Sequence, residues 1–464
     1  MKYREEKDTM GSVRVPEDAY YGPQTQRAAD NFPISGVTLP PAFIRALALI
    51  KKCAAQVNAD LGLLDTGMAD AIARAAGETL DGKFTDQFIV DVFQTGSGTS
   101  TNMNINEVLA ARANELLTGQ RASKAPVHPN DHVNMGQSSN DVIPSTLHIA
   151  ALTSIKENLL PAMTRLKNAL QEKASDFAGV NKIGRTHLQD AVPMTLGQEF
   201  SGYARQIELG AERLQDAGKR LAELALGGTA VGSGLNAHPG FAAAVIARIA
   251  DHSGTPFVEA RNHFEAQAAR DAAVETSGAL KTLAVSLIKI SNDIRWLASG
   301  PRCGLGEINI PALQPGSSIM PGKINPVIPE SVIQVAAQVI GNDTAIMLGG
   351  QSGNFELNVT IPVIAHNLLQ SIHLLTAAIE VFTEKCINGI TVNREACTAN
   401  IEKSLALVTG LVPHIGYERA AAIAKTAFET GKTVREVARR EQILPEDVLT
   451  QILEPEINGG NNGK

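Results

Sequence analysis

Residues Gly316–Pro326 have the sequence Gly-Ser-Ser-Ile-Met-Pro-Gly-Lys-Ile-Asn-Pro, and long apolar helical patterns lie on both sides of them. The segment cannot form a regular helix or strand, because Pro321 and Pro326 each lack a backbone donor and restrict the residue before them. Gly316 and Gly322 allow backbone conformations that other residues resist. Two interpretations follow. The segment is either a helix–helix connection whose serines cap the next helix, or a polar loop between rigid helices that performs chemistry.

Two nucleotide-binding motifs can be excluded. A phosphate-binding P-loop has four residues between its glycines and a Ser or Thr after its Lys. Here five residues separate Gly316 from Gly322, and an isoleucine follows the lysine. The segment Gly96–Gly98 lacks the third glycine of a dinucleotide fingerprint, because Thr101 stands at that position.

The composition is that of a globular helical protein. The chain has 464 residues, enough for two or three domains, with 44% hydrophobic and 19% charged residues. Aromatic residues make up only 4%, and Ala and Leu supply the apolar content, which favours helix over sheet. The net charge of -7 arises from acids and bases that are mixed along the chain. This argues against a nucleic-acid surface and is compatible with a small anionic substrate.

Nothing in the sequence predicts export, a membrane or a cofactor. Residues Met1–Pro16 are charged and have no apolar centre, unlike a secretory signal. No apolar run is expected to be long enough to span a bilayer. The cysteines are scattered without metal-ligand spacing, which favours reduced thiols in a cytoplasm and no metal. They are Cys53, Cys303, Cys386 and Cys397.

Three other segments share the polar composition of the 316–326 loop, and each precedes a predicted helix. They are Gln94–Asn104, His128–Asp141 and Gly184–Asp190. Ser, Thr and Asn side chains cap helices, and free N–H groups at a helix N-terminus attract anions. One Ser or Thr suffices for a plain N-cap, whereas an anion site would use the surplus hydroxyls of the first segment. Taken singly, each segment favours the structural interpretation. Four such segments together favour function over capping alone.

Hydrophobic spacing predicts most of the helices. Residues 1–40 contain several prolines and are expected to be irregular. Helices are expected over Pro41–Leu61, over Thr66–Asp81, from the end of the first polar segment through Leu116, from about Val142 to Phe177 with Pro144 in the first turn, and from about Thr195. Near the C-terminus, Thr433 and Glu436 have the spacing of a capping box, and Leu444–Asp447 resembles a helix start. The Gly/Asn-rich end, Gly459–Lys464, is expected to fray.

The middle of the chain predicts a bundle of long helices. Six apolar residues recur at steps of three and four, the seam of a bundle: Leu280, Leu283, Leu287, Ile290, Ile294 and Leu297. No Lys or Arg occurs between Lys323 and Lys385. Helices with so little charge are expected to be buried on more than one face. In a chain of this composition, this favours a bundle completed by other subunits.

These segments together resemble the signature of the fumarase/aspartase superfamily. The loop Gly316–Pro326 matches it, as do Thr95–Asn104, His128–Asn140, Gly184–Gly197 and Ser352–Asn358, in the same order along the chain. The resemblance implies a mainly α three-domain fold with a central bundle of long helices completed by tetramerisation. The implied domains are an N-terminal domain at 1–138, a central bundle domain at 139–392 and a small C-terminal domain at 393–464. It also implies a homotetramer whose active sites combine residues of three subunits.

Within the superfamily, the chain is most similar to class II, iron-independent fumarate hydratases. Thr95–Thr99, Ser138–Asn140 and Ser352–Phe355 resemble fumarases, whereas Asn130–Met135 and Lys385–Ile390 resemble aspartases. The implied reaction is the reversible anti-addition of water to fumarate, giving L-malate, a step of the tricarboxylic acid cycle. Aspartate ammonia-lyase is the alternative. A non-catalytic protein on the same scaffold is less favoured, because none of the matching catalytic positions is missing.

The resemblance also implies roles for individual residues. Ser317 would abstract the proton, although composition alone does not distinguish it from Ser318. His187 would donate a proton to the leaving hydroxide through water, and Glu330 would pair with His187 and set its basicity. The substrate, a small dicarboxylate, would contact Ser97, Gly98, Thr99, Ser138, Ser139, Asn140, Thr186, Ser318, Lys323, Ile324 and Asn325. No cofactor, nucleic acid or membrane is implied.

A second dicarboxylate site is implied at four consecutive residues, namely His128, Pro129, Asn130 and Asp131. The family often has a basic residue three positions before this histidine, where the chain has Ala125 beside Lys124. A turn formed by Pro129 and Asn130 explains the same residues without a ligand.

Overall fold

The computed structural model describes residues 2–453, and most of them are helical, which confirms the predicted mainly α fold. The segment predicted to fray, Gly459–Lys464, lies outside the described residues. The helices are α1 (Pro23–Asn31), α2 (Pro41–Asp60), α3 (Thr66–Leu80), α4 (Thr99–Thr118), α5 (Ser139–Ser154), α6 (Leu160–Asp176), α7 (Leu196–Leu221), α8 (Phe241–Ser253), α9 (His263–Ala268), α10 (Asp271–Leu297), α11 (Val327–Gly350), α12 (Ile361–Lys385), α13 (Arg394–Lys403), α14 (Val412–Ile415), α15 (Tyr417–Thr430), α16 (Val434–Arg440) and α17 (Glu446–Leu453).

The strands form only two-stranded sheets within residues 2–453. They are β1 (Tyr3–Asp8), β2 (Gly11–Pro16), β3 (Asn181–Thr186), β4 (Gln189–Thr195), β5 (Glu223–Leu224), β6 (Val258–Glu259), β7 (Ile308–Asn309), β8 (Gly353–Asn354), β9 (Leu357–Asn358) and β10 (Thr391–Val392). Strand β1 pairs with β2, β3 with β4, β8 with β9 and β7 with β10, all antiparallel, whereas β5 and β6 are parallel. Single π-helical turns occur at Pro129–Val133 and Ile155–Leu159.

The chain divides into two compact units, and neither is a continuous stretch of sequence. Unit 1 comprises Met1–Pro161, Gly210–Ala284 and Val335–Thr376, and unit 2 comprises Ala162–Leu209, Val285–Gln334 and Ala377–Lys464. The three continuous domains implied by the family resemblance (1–138, 139–392 and 393–464) stay a prediction.

Helix α2 is central to unit 1, where it packs against α3, α5 and α8. Its residues Phe43, Leu47 and Ile50 are fully buried, and their spacing of four and three places them on one helical face. Pro41 lies in the first turn, where its missing N–H is not needed. In α3, Asp65 caps the helix by accepting a hydrogen bond from the N–H of Met68 at 3.0 Å. Both predicted helices are therefore confirmed.

The predicted seam lies in α10, a helix of 27 residues. All six seam residues are buried: Leu280, Leu283, Leu287, Ile290, Ile294 and Leu297. Three further helices have similar lengths, with 26 residues in α7, 24 in α11 and 25 in α12. The charge-poor stretch between Lys323 and Lys385 forms α11 and α12, and their burial on more than one face stays a prediction.

In unit 2, the β3–β4 hairpin packs against the short C-terminal helices. Ile183 of β3 belongs to the same buried cluster as Leu411, Ile423 and Val437. The capping box at α16 is confirmed, because Thr433 Oγ1 accepts from the N–H of Glu436 at 3.2 Å and the Glu436 carboxylate accepts from the N–H of Thr433 at 2.8 Å. The predicted start of α17 is also confirmed, since the helix begins at Glu446.

The prediction that residues 1–40 are irregular is wrong. The β1–β2 hairpin and helix α1 occupy most of this segment. Pro16 ends β2 and Pro23 begins α1, and at these positions the missing N–H of proline removes little hydrogen bonding from the strand or helix. Side chains of β1 alternate between exposed and half-buried, so the hairpin is a surface element with a weak hydrophobic signal.

The long helix predicted from about Val142 to Phe177 begins earlier, at Ser139, and is interrupted by the π-helical turn Ile155–Leu159. Pro144 lies within the helix rather than in its first turn, so that expectation is also wrong. The proline has no N–H to donate to the carbonyl of Asn140, four residues earlier.

Within residues 2–453, two helices are long and apolar enough to cross a membrane by length and composition, so the expectation that no run reaches this length is wrong. They span Val327–Gly350 and Ile361–Gly389. This is weak support for a membrane span, because the core helices of a bundle pass the same test. Several large apolar side chains of the long helices are nevertheless exposed on the single chain. These are Val285, Trp296, Met347, Leu348 and Val381.

Candidate active site

The Gly316–Pro326 loop connects β7 to α11 and has no regular secondary structure, as predicted. Two hydrogen bonds close it into a ring. The N–H of Gly316 donates to the carbonyl of Lys323 at 2.7 Å, and Asn325 Nδ2 donates to the carbonyl of Gly316 at 2.7 Å. A Cβ at Gly316 would lie 2.6 Å from the Lys323 carbonyl oxygen, so only glycine fits there. The loop therefore holds one shape by its own backbone contacts.

Inside this ring, Ser317 Oγ accepts two backbone hydrogen bonds. The donors are the N–H groups of Ile319, at 3.2 Å, and Met320, at 3.0 Å. Two fixed donors on one hydroxyl oxygen stabilise negative charge on that oxygen. The interpretation that the loop serines cap the next helix is wrong for Ser317, since both donors belong to the loop and α11 begins only at Val327.

A cavity of about 650 Å³ adjoins the same loop within unit 2. Its volume is in the range of small-molecule sites. Of the predicted site residues, Lys323, Ile324, Asn325 and Glu330 line it, together with Arg295. Neither serine of the loop is part of its wall, so one chain alone does not bring all the predicted groups of this loop into one cavity.

The polar segment at 184–190 is a hairpin, which the sequence did not predict. Strands β3 and β4 are joined by His187 and Leu188, whose φ angles are 57° and 58°. Positive φ at both central residues is typical of a two-residue hairpin turn, but such turns usually contain Asn or Gly. The imidazole of His187 is exposed at the tip, next to Thr186. Because the tip has no Asn-Gly signal, composition could not identify it as a turn.

His187 and Glu330 both belong to unit 2, yet they form no ion pair or hydrogen bond among the residues described for this chain. Glu330 is half-buried in the first turn of α11. The pairing implied by the family resemblance is therefore not made within one chain.

In unit 1, Ser97 and Thr99 flank the N-cap of α4. The N-cap residue is Gly98, with φ of 75°, and no side chain caps the helix from this position. The two hydroxyls instead hydrogen-bond to each other at 2.9 Å. The N–H of Thr101 donates to Gln94 Oε1 at 3.0 Å. The plain N-cap interpretation of the surplus hydroxyls is therefore wrong, and the Ser97 and Thr99 side chains remain accessible at a helix N-terminus.

The Ser138–Asn140 segment begins α5 and lies beside the start of α4. Ser138 caps α5 and forms a capping box with Asp141. Ser139 Oγ accepts from Asn102 Nδ2 at 3.0 Å, which connects the two polar segments. Asn140 Nδ2 donates to the carbonyl of Ala230 at 2.8 Å. In unit 1 the structure thus brings the start of α5 next to the first turn of α4.

Behind these two segments lies a buried polar network that the sequence analysis missed. Asn134 Oδ1 accepts from Lys51 Nζ at 3.0 Å, from Asn102 Nδ2 at 3.1 Å and from Asn106 Nδ2 at 3.2 Å. Lys51 Nζ also donates to Gln137 Oε1 at 2.8 Å. Burial lowers the pKa of Lys51 to about 7. Two features of the sequence could have indicated this network. They are the lysine on the apolar face of α2 and the asparagines four residues apart in α4.

Asp141 is a second missed residue, and it is fully buried. Its carboxylate accepts from the N–H groups of Ser138, at 2.9 Å, Gly227, at 2.9 Å, and Thr229, at 3.0 Å. Burial raises the pKa of Asp141 to about 6 although these donors act in the opposite direction. The side chain therefore joins the start of α5 to the 227–229 loop, and no local sequence pattern indicates that contact.

The residues predicted for a second dicarboxylate site form a turn with internal hydrogen bonds. His128 Nδ1 accepts from the N–H of Asn130 at 3.3 Å and of Asp131 at 3.2 Å, at the start of the turn Pro129–Val133. Pro129 is buried, whereas Asn130 and Asp131 are exposed. These contacts agree with the turn interpretation, and they leave the exposed side chains able to contact a ligand.

The fold and the site together define a lyase of the fumarase/aspartase type. The fold is mainly helical with long helices, and the site combines a ring-closed loop of Gly, Ser, Lys and Asn with turns rich in hydroxyls and amides. A family model described as lyase matches residues 11–341, and one described as the fumarase C C-terminus matches residues 407–457. The chain belongs to this family, and within it to the class II fumarate hydratases.

Individual relatives agree with this assignment. The chain is 57% identical to a class II fumarate hydratase of Nitrosomonas europaea, over 95% of each chain. It is 56% identical to a class II fumarate hydratase of Neisseria meningitidis, over 98% of each chain. Among solved structures, the crystal structure of a class II fumarase from Schistosoma mansoni superposes with a TM-score of 0.95 at 40% identity, covering 98% of this chain and 99% of that one.

The buried ammonium of Lys51 predicts a pH-dependent stability. Its pKa falls from 10.5 in the unfolded chain to about 7 in the folded chain. The unfolded state therefore binds more protons between these values, and this group's contribution to stability is lost as the pH falls from about 10.5 to about 7. As the pH is lowered through this range, we expect the free energy of unfolding of wild type to fall relative to that of Lys51→Met. The expected slope is up to roughly 1.4 kcal/mol per pH unit.

The measurement is denaturant unfolding between pH 7.5 and 9.5 for both proteins. Lys52→Met, at the next position of the same helix, is the control and is expected to keep the wild-type slope. Parallel curves for wild type and Lys51→Met would contradict the assignment of this pH dependence to Lys51.

Proposed function

We propose that the protein is a fumarate hydratase that catalyses the reversible anti-addition of water to fumarate, giving L-malate through an aci-carboxylate intermediate. The observation that supports this most directly is the pair of backbone N–H groups on Ser317 Oγ. It occurs in a chain that is 57% identical to a class II fumarate hydratase. Fixed donors at that oxygen suit a serine that acts as a base.

The first chemical requirement is removal of a proton from the carbon next to a carboxylate. Such a carbon is a very weak acid, so the doubly charged aci-carboxylate needs positive or donating groups at fixed positions. In this proposal Ser317 takes the proton as its alkoxide. Lys323 and Asn325 stabilise the charge that develops on the carboxylate, since Lys323 supplies an ammonium and Asn325 is held by the ring closure of the loop.

The second requirement is a proton for the departing hydroxide. His187 is of the residue type that titrates near neutral pH, and its exposed position at a hairpin tip allows it to reach a neighbouring molecule or a water. We propose that it donates this proton through water. Glu330 would contact the His187 of another subunit. This agrees with the single chain, in which the described residues include no contact between Glu330 and His187.

The substrate carboxylates and hydroxyl would be bound by hydroxyl, amide and backbone groups. The start of α4, beside the accessible Ser97 and Thr99, carries the positive end of the helix dipole, which attracts an anion. The remaining contacts of the proposed site are Gly98, Ser138, Ser139, Asn140, Thr186, Ser318 and Ile324. The turn His128–Asp131 is proposed as a weaker second dicarboxylate site, because Ala125 stands where the family often has a basic residue.

We further propose a homotetramer in which three subunits contribute to each active site. Exposed apolar side chains on α10, α11 and α12 support it, among them Trp296 at 52% exposure and Met347 at 49%. Large exposed apolar surfaces on a soluble protein are typical of subunit interfaces. Buried free thiols at Cys53, Cys386 and Cys397 fit a reducing compartment, so we propose the cytoplasm.

A paired substrate assay tests the proposed activity against aspartate ammonia-lyase, the alternative within the superfamily. The formation of fumarate is followed by its absorbance with malate and, separately, with aspartate. We expect turnover of malate and none of aspartate, unchanged by an iron chelator or by exposure to air. Turnover of aspartate alone would identify an ammonia-lyase, and turnover of neither would favour a non-catalytic role.

Ser317→Ala is expected to lower kcat for malate by at least about 1000-fold, because the base and its stabilised alkoxide are both lost. Ser318→Ala is the matched control and is expected to raise KM more than it lowers kcat, as the loss of a substrate contact. Light scattering checks that both variants keep the wild-type mass. If Ser318→Ala is the variant that loses turnover, the base is Ser318.

Replacing Met347 and Leu348 together by lysine is expected to dissociate the oligomer and abolish activity, because two charges cannot be buried in an apolar contact without partners. Sedimentation and the malate assay measure both effects. The control replaces Lys425 and Glu429, an exposed pair on α15, by alanine and is expected to change neither. A fully active monomer would contradict the shared active site.

A further inference from the structure

Glu307 is a buried carboxylate that none of the roles above uses. It precedes β7 in unit 2, and its side chain is fully buried. Arg185 donates to both of its oxygens, from Nη1 to Oε2 at 3.0 Å and from Nη2 to Oε1 at 2.6 Å. Asn400 Nδ2 donates to Oε1 at 3.0 Å. Such a two-point contact fixes the orientation of a guanidinium as well as its position.

The backbone of Glu307 is fixed on both sides. Its N–H donates to the carbonyl of Leu297, the last residue of α10, at 2.8 Å, and its carbonyl accepts from the N–H of Asn393 at 2.9 Å. The first contact joins Glu307 to the end of a long helix, and the second joins it to the N-cap of α13. The carboxylate is therefore a rigid acceptor and not a mobile surface group.

The charges around Glu307 balance. Lys182 Nζ, which is buried, lies 3.7 Å from Glu307 Oε2 and 3.1 Å from Glu199 Oε2. Two cations, Lys182 and Arg185, thus face two carboxylates, Glu199 and Glu307. A buried cation without a partner is strongly unfavourable, so the arrangement holds Arg185 at one place.

Arg185 lies two residues before His187 in the same hairpin. The strand register shifts between Ile183 and Arg185, and His187 and Leu188 both have positive φ. Side chains other than Gly and Asn seldom adopt this conformation, and they keep it only where the surrounding structure imposes it. The Arg185–Glu307 pair is a bidentate contact that joins this end of β3 to the segment preceding β7 in unit 2.

We infer that Glu307 is a positioning residue for the proposed proton donor: through Arg185 it fixes the strand end that presents the His187 imidazole. This inference depends on the proposed function. Glu307 makes no contact with substrate in this scheme. It acts by keeping the imidazole in the geometry that proton transfer requires, where a displacement of about 1 Å costs about 100-fold in rate.

The test compares two bidentate arginine–glutamate pairs in the same chain. Arg185→Lys keeps the charge but loses the second hydrogen bond, and Glu307→Gln keeps the shape but loses the charge. Arg112 forms an equivalent bidentate pair with Glu78 in unit 1, with contacts of 2.7 and 2.9 Å, so Arg112→Lys is the matched control. Each variant is assayed with malate for kcat and KM, and its Tm is measured.

We expect Arg185→Lys and Glu307→Gln to lower kcat about 10- to 100-fold while KM for malate stays within about threefold of wild type. Arg112→Lys is expected to keep the wild-type kcat. A folded Arg185→Lys with unchanged kcat would overturn the inference, and so would an equal loss of kcat in Arg112→Lys. Where Glu307→Gln does not fold, Arg185→Lys decides.

A second measurement does not depend on activity. Hydrogen exchange of the backbone N–H groups of residues 186–189 is expected to be at least tenfold faster in Arg185→Lys than in wild type, and unchanged in Arg112→Lys. Unchanged exchange in Arg185→Lys would overturn the inference even if the protein had another activity. Loss of malate turnover in the wild-type protein itself would contradict the proposed function and leave this measurement valid.

Discussion

Burying a charged or strongly polar side chain costs free energy unless its polar atoms are hydrogen-bonded, and this constraint fixes the polar turns of the candidate site. Asp141 joins the start of α5 to the 227–229 loop through three backbone donors. Asn134 collects three donors, including the buried ammonium of Lys51. Glu307 accepts two hydrogen bonds from Arg185 and so holds the end of β3. The exposed residues make few contacts of their own, so their geometry depends on the buried groups behind them.

Local patterns in the sequence predicted much of the fold. The seam of α10, the capping box at Thr433 and the irregular Gly316–Pro326 loop are each determined by residues a few positions apart, so periodicity and capping rules identify them. The β1–β2 and β3–β4 hairpins were missed, because neither has an Asn-Gly turn between strongly alternating strands. The π-helical turn Ile155–Leu159 has no compositional signal.

The candidate site was predictable in its exposed residues and not in the groups that support them. Hydroxyls, amides and a histidine in short polar segments stand out against an apolar helical background. The supporting contacts join residues that are far apart in sequence: Gly227 is 86 positions after Asp141, and Glu307 is 122 positions after Arg185. No pattern in a single sequence specifies such pairs. The apolar faces of α11 and α12 are likewise ambiguous from composition, because a membrane span and a bundle core require the same residues.

The geometry of the loop distinguishes its two serines, which composition left equivalent. A serine hydroxyl is a weak base, so a loop that uses one must stabilise the alkoxide before the substrate binds. The N–H groups of Ile319 and Met320 are directed at Ser317 Oγ, and the ring closure between Gly316 and Lys323 keeps them there. A fixed donor at a developing oxyanion contributes about 10²- to 10³-fold in rate, since it need not reorient as charge forms. Ser318, which is exposed, has no such pair among the described residues, and this difference supports the proposal that Ser317 is the base.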